Sequence, residues 1–364
     1  ASSLAHAEQG DEDERSGLKW LAVPAFKANS DTGVIVGAQL AMIDYGDGVD
    51  DEPFVWELRL KANVGLKRGA HRQEHFLVFD TPHLLPGKLR LFLEAEFLHI
   101  PDANYFGVGN ESVQAPRAAH NHINLLESRV QTNVRRAIGE IDAVGGITFS
   151  YSSIEAAPGS KLELDRPIGW EGGRNLSGLV GFAYDTRDNE VVTRHGMYHE
   201  IYSKFALTPL SEFSWFGGGF TETIFWSPTD WVVVAQRAML ETLGGTVPLS
   251  ELYRIGGTRN VRGIGGVFSQ RGFKEGRFIG QTKGLANFEI RGYFDPIFEH
   301  LVLGAGPFVD VSRIFDGSGT LFEVWHVSSG GEFTLNWKES FLFRLDYAVS
   351  KEGGEFYIEG RHIF

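Results

Sequence analysis

Cysteine is absent from the 364 residues, which removes disulfides, thiolate metal sites and thiol catalysis together and suits a chain that crosses an oxidising compartment. Long apolar runs are missing too. The densest stretch, Trp231-Val232-Val233-Val234-Ala235, falls far short of the roughly 18 residues that a spanning helix requires, so helical transmembrane architecture is excluded. Positive charge is scarce: 34 Lys and Arg stand against 47 Asp and Glu, a net −13, and such a surface is not built to hold nucleic-acid phosphates. Nucleic acid is therefore not an expected partner. The glycine-rich run from Gly256 to Gly266 has no following Gly-Lys-Ser/Thr, so it is not a phosphate loop. His120 and His122 share a strand face without a third ligand spaced to complete a metal site, and Asp185, Arg187 and Asp188 read as a turn network. No catalysis, metal or cofactor is expected.

What the chain has is alternation. From Lys19 onward the dominant period is two. Phe54, Trp56, Leu58, Leu60, Ala62, Val64 and Leu66 share one face of a strand, and Glu57, Arg59, Lys61 and Asn63 the other. Residues 88 to 98 set Leu89, Leu91, Leu93, Ala95 and Phe97 against Lys88, Arg90, Glu94 and Glu96. Residues 340 to 350 set Phe341, Phe343, Leu345, Tyr347 and Val349 against Ser340, Arg344, Asp346 and Ser350. One oily and one charged face, repeated in long strands between Gly, Asp, Asn and Pro turns, is the pattern of an all-β antiparallel barrel in an outer membrane, with lipid outside and a wet lumen inside. The segments are 19–27, 33–44, 54–66, 71–79, 88–98, 123–137, 141–154, 176–186, 196–206, 212–227, 230–243, 281–294, 300–315, 322–336, 340–350 and 355–364. That is about 16 strands, an even number, as single-chain bacterial barrels require. The 28 Phe, 10 Tyr and 8 Trp supply the girdles at the two membrane interfaces.

The organisation expected is a flexible acidic arm over residues 1–18 and a barrel over 19–364, with 244–280 as one long loop. Within the arm, Ala5-His6-Ala7 has the small-x-small form of an export cleavage site. The chain ends on an aromatic, Phe364.

The long loop contains Leu252-Tyr253-Arg254-Ile255-Gly256-Gly257-Thr258-Arg259-Asn260-Val261-Arg262-Gly263-Ile264-Gly265. This stretch resembles the VRGF/VRGY signature of the outer membrane protein 85 superfamily, the BamA/TamA-like surface antigen barrels, in which a long loop folds back into the lumen. Pro24 to Ala38 resembles that family's opening hairpin, Asn104 to Asn110 its YYGIGN-type loop and Tyr184 to Asn189 its DTRDN turn. Asn287-Phe288-Glu289-Ile290-Arg291 and Phe308-Val309-Asp310 are similar to its motifs on the twelfth and thirteenth strands, and the terminal Phe364 resembles a barrel sorting signal. The likeness covers nearly the whole chain from residue 19. It lacks a G-x-S-x-G elbow, so the lipase module that some relatives carry is not expected.

The resemblance carries site expectations. A guanidinium at a glycine-rich tip enters a polar lumen only if it finds carboxylates, and Glu289 and Asp310 both point inward by parity. The family pairing implies Arg262 with Glu289 and Asp310 as a lock, within a loop motif of Gly256, Gly257, Val261, Gly263 and Ile264. Ile264 stands where the family has an aromatic. The family also implies a weak seam between first and last strands, which Pro24 and Gly360 would loosen and near which Phe364 ends. Family members bear periplasmic POTRA modules, which 18 residues cannot fold; either the sequence is a trimmed piece or the chain resembles a barrel-only member, and the short acidic arm favours the second. The function so implied is assistance to insertion or translocation of polypeptides, with a passive channel or structural barrel as the alternative. The partners implied are outer-membrane lipid including lipopolysaccharide, unfolded outer-membrane or exported proteins, and a second copy in a homo-oligomer.

Overall fold

The computed structural model describes residues 16–46, 54–67, 70–82, 84, 89–114, 120–190, 192–294, 301–317, 324–337, 341–360 and 362–364; most of the acidic arm lies outside the described residues. Sixteen antiparallel strands close into one barrel. In chain order they are β1 (Leu18–Asn29), β2 (Gly33–Asp44), β3 (Trp56–Lys67), β4 (Ala70–Thr81), β5 (Leu89–Asn104), β6 (His122–Ile138), β7 (Ile141–Ala156), β8 (Gly172–Asp185), β9 (Gly196–Ala206), β10 (Trp215–Thr229) and β11 (Val232–Gly245). After the long loop follow β14 (Thr282–Tyr293), β15 (Leu301–Ile314), β16 (His326–Trp337), β17 (Phe341–Ser350) and β18 (Gly353–Glu359). The pair β12 (Arg254–Ile255) and β13 (Val261–Arg262) forms a small hairpin within that loop. Two short helices, α1 (Lys161–Asp165) and α2 (Leu249–Leu252), lie in the connections after β7 and β11.

The faces are inverted relative to a soluble protein. On β3, Leu60 and Leu66 are 48% and 63% exposed, while Asn63 is 3% exposed. On β17, Tyr347 and Val349 face outward, and Arg344 and Asp346 are buried. Lipid takes the apolar side and the lumen takes the charges, which strand parity in the sequence requires. Each expected strand has a counterpart here, and the last ends five residues earlier than expected, at Glu359.

The β6–β7 and β10–β11 turns span two residues each, whereas β5–β6, β7–β8 and β11–β14 are joined by long loops at the other end. Those loops cap their end of the barrel with a buried cluster that includes Tyr105, Leu162, Trp215, Leu249 and Leu252. Pairing along the wall is extensive except at one place. β1 pairs with β2 over twelve positions, but with β18 only at Ala28↔Ile358 and Asn29↔Tyr357. The contact between Ser30 and Phe356 extends it slightly: the Ser30 N–H donates to the Phe356 carbonyl at 3.2 Å, and the Phe356 N–H to Ser30 Oγ at 2.9 Å.

Candidate functional site: the lumen lock and the seam

The loop between β11 and β14 turns inward because its glycines permit it and the lumen wall offers charges to meet it. Gly263 (φ +66°) lies so close to Gly276 that a Cβ would stand 2.9 Å from its Cα. Gly256 (φ +118°) turns the β12–β13 hairpin, and Gly257 lies against Tyr202 and Glu200. Val261 packs with Met239, Ile255 and Leu285. At the hairpin tip the Thr258 N–H and hydroxyl both donate to Glu200 Oε1, at 2.9 and 2.7 Å. Arg254 donates to Glu96 and Glu127, each at 2.9 Å. Arg259 reaches Glu190 of the β8–β9 turn at 2.9 Å, and Arg90 of β5 holds the same carboxylate at 2.7 Å. The loop thus crosses the lumen to the short-turn end. Burial pushes the Glu190 carboxyl up, but Arg259, Arg90 and Arg187 outweigh it and hold it below the usual carboxylate range.

The central arginine is not the one expected. Arg262 is partly exposed, and its nearest carboxylate is Glu275, at 4.0 Å. Glu289 and Asp310 do face inward, fully buried, and the guanidinium between them belongs to Arg271. Arg271 Nε and Nη2 fork onto the two Asp310 oxygens at 2.9 Å each, its main-chain N–H adds a third bond at 3.0 Å, and Nη1 lies 2.7 Å from Glu289. Asp346 of β17 stands 3.6 Å from Nη1, and the guanidinium lies 3.3 Å over the Phe308 ring. Asn287 Nδ2 donates to Asp310 Oδ1 at 2.8 Å and so orients the acceptor.

The signal that would have found it is in the sequence. Gln270-Arg271-Gly272-Phe273 is a second Arg-Gly pair, nine residues after the first, and it carries the aromatic that Ile264 lacks. Gly272 (φ +83°) has no room for a side chain without crowding Ser328, and its N–H donates to the Tyr357 hydroxyl of β18 at 3.0 Å. Phe273 meets Phe278 edge-on at 5.2 Å, and Ile264 joins both in one buried cluster with Ile314. One segment, 271–277, thereby touches the barrel on both sides of the seam. Tyr357 and Ser350 hold it on one side, and on the other the Glu275 N–H donates to Asp31 of the β1–β2 turn at 3.1 Å.

At the seam, Pro24 pairs with Ala38 of β2 and faces no partner in the described β1–β18 register; Gly360 lies past the end of β18. Phe364 is neither in the wall nor at the membrane interface. It lies inside the lumen, which the strand expected over 355–364 did not foresee. Among the described residues, no three His, Cys, Asp or Glu side chains converge as a metal set would.

The Omp85 superfamily domain matches residues 61–357. Among solved structures, BamA from Haemophilus ducreyi lacking POTRA domains 1–3 is 13% identical, with 95% of this chain and 70% of that chain covered and a TM-score of 0.60. CdiB from Acinetobacter baumannii is 12% identical over 94% of this chain and 59% of its own, with a TM-score of 0.55. CdiB from Escherichia coli is 8% identical over 94% and 63%, with a TM-score of 0.59. The chain thus spans about three fifths of either CdiB chain. No curated protein matches it.

Proposed function

Because this chain belongs to the Omp85 superfamily and forms an outer-membrane barrel, we propose that it assists the insertion or translocation of other polypeptides, meeting an incoming strand at the seam between β1 and β18. The observation that carries the reading is the two-position pairing of that seam beside the twelve positions between β1 and β2. In hydrocarbon every unpaired backbone N–H and C=O is costly, so an edge left open along β1 favours any extended segment that arrives to pair with it. Main-chain bonds then supply affinity without demanding a particular sequence, which is what a handler of many unfolded barrels needs. The lock belongs to this reading as the element that keeps the loop folded inside while the seam stays weak.

Reconstitution into liposomes tests it. Faster folding of an unrelated barrel in vesicles that hold this protein supports the insertase; unchanged folding with steady ion conductance supports a passive pore. A disulfide between Ala28→Cys and Ile358→Cys joins the seam where the strands already face each other. If that cross-link leaves assisted folding at full rate, the seam is not the point of entry.

A further inference from the structure

Four neighbouring strands, β8 to β11, carry polar side chains on their outer face: Tyr184, His199, Glu222 and Gln236. Parity sets the face. Tyr198 and Glu200 flank His199, Thr221 and Thr223 flank Glu222, and Ala235 and Arg237 flank Gln236, all of them buried toward the lumen; Tyr184 follows buried Ala183. Depth follows from the strand. Glu222 stands seven residues from either end of β10, between Phe220 and Ile224 on the same face, and the exposed Trp226 lies further toward the short-turn end. A carboxylate that is 28% exposed therefore faces hydrocarbon in the middle of the wall.

Its neighbours on the same wall satisfy it in part. Gln236 Nε2 donates to Glu222 Oε1 at 2.9 Å. His199 Nδ1 lies 3.6 Å from Oε2, too far for a hydrogen bond. The Tyr184 ring stacks on His199, centroids 6.4 Å apart, and brings a hydroxyl to the same sector. Lipid tails cover Phe182 and Ile201, both exposed, as well as another protein would. They offer nothing to a carboxylate, an imidazole or a phenol, and headgroups end at the interface, above and below this depth. Ionisable groups in the middle of the wall need a protein neighbour.

The sector contains its own complement, an acceptor on β10 beside donors on β8 and β9. Two copies inserted the same way can be related by a two-fold axis only along the membrane normal, and that axis carries a residue to the same depth on the other barrel. Glu222 and His199 are direct cross-strand partners, so they lie at nearly one depth. An axis between β9 and β10 therefore sets Glu222 of each copy opposite His199 of the other. We propose that the outer face of β8–β11 is the contact surface of a homodimer, held by reciprocal hydrogen bonds between Glu222 of one copy and His199 of the second. β9 and β10 are the ninth and tenth of the sixteen wall strands, across the barrel from the β1–β18 seam. Both seams stay open to lipid in such a dimer.

This rests on the outer-membrane barrel and not on insertase activity, and it is read from association without any substrate, so the two fail separately. The chain has no cysteine, and single introduced thiols report contacts cleanly. In lipid vesicles a short bis-maleimide should join Phe220→Cys chains into dimers and leave Phe333→Cys chains, on β16 near the seam, monomeric; the two native side chains are 40% and 39% exposed. Glu222→Leu should raise the dimer dissociation constant about tenfold or more, because symmetry removes two bonds at once. Energy transfer between labelled chains, followed as added lipid dilutes them, measures that constant. The same variant should keep or raise the heat resistance of the single barrel, since leucine suits lipid. His199→Glu should also separate the copies, and His199→Glu combined with Glu222→His should reunite them. The proposal is overturned if Phe220→Cys and Phe333→Cys cross-link alike, or if Glu222→Leu leaves the dissociation constant unchanged. It is overturned as well if Phe220→Cys stays monomeric in vesicles of either phosphatidylethanolamine or phosphatidylcholine, or joins only a different protein in outer membranes. Should the exchanged pair fail to fold, Glu222→Leu and the cross-linking decide alone.

Discussion

A buried arginine is stable only when carboxylates and carbonyls take up its donors, and two of the arginines of the lumen loop differ in this respect. Arg271 is fully buried and sits among Asp310, Glu289 and Asp346; Arg262 is partly exposed and 4.0 Å from one glutamate. Removing one partner of a buried, hydrogen-bonded pair leaves the others uncompensated and costs about 3–5 kcal/mol, whereas an exposed pair is worth about 0–1 kcal/mol. Arg271→Ala should therefore lower unfolding stability, measured by urea titration in lipid vesicles, by several kcal/mol, and Arg262→Ala by under about 1 kcal/mol. Equal losses would mean that the buried fork is not the lock. The residue was partly legible. Parity of the alternating strands places Glu289 and Asp310 inside, because each lies between outward-facing apolar neighbours. Which of two Arg-Gly pairs meets them depends on how far the loop descends, and periodicity says nothing of that depth. The missing aromatic after Gly263 was the mark against Arg262, and Phe273 was the mark for Arg271.

Strands hold one another by shared main-chain bonds, so protection should follow pairing. β7 pairs over sixteen positions with β6 and twelve with β8, while β1 is paired at two positions on its seam side. Seam-side amides of β1 between Leu18 and Lys27 should exchange with deuterium much faster than amides in the middle of β7, because opening there breaks little. Equal protection would show the seam closed in solution. A second element-scale contact answers to pH. Glu190, from the β8–β9 turn, bridges Arg90 of the wall and Arg259 of the hairpin tip, and its carboxyl is held below the usual range. A depressed carboxyl stabilises the fold above its unfolded pKa and loses that contribution as pH falls through its folded value. The heat resistance that distinguishes the native chain from Glu190→Gln should accordingly be present at neutral pH and shrink in strong acid. Since Glu190 is 40% exposed the difference should be small, and one that grows on acidification would have the wrong sign for this bridge.

Over the whole molecule, a single inversion organises the rest: charge goes in, grease goes out, and the wall closes because an open edge in lipid has no solvent to satisfy it. That inversion was readable because the period of two is local, so each strand declares its two faces independently of where its neighbours lie. Sixteen such declarations fix a barrel, and the family likeness agrees with it across residues 61–357. The path of the tail was not readable. Phe356 and Ile358 keep the alternation that would carry Phe364 into the wall, and only a pocket assembled from β10, β11, β14 and β15 draws the terminal ring inward. If lipid is the solvent of the outer face, the cost of a charge there must depend on depth. Ile201, 64% exposed, lies at the middle of β9, and Trp231, 62% exposed, lies in the turn between β10 and β11. Arginine at a bilayer midplane costs about 2–4 kcal/mol and near an interface about 0–1 kcal/mol. Ile201→Arg should thus destabilise the barrel in vesicles far more than Trp231→Arg, even though the two wild-type side chains are equally exposed. If the two cost the same, the apolar face is not graded by a bilayer, and exposure to water would have to explain both.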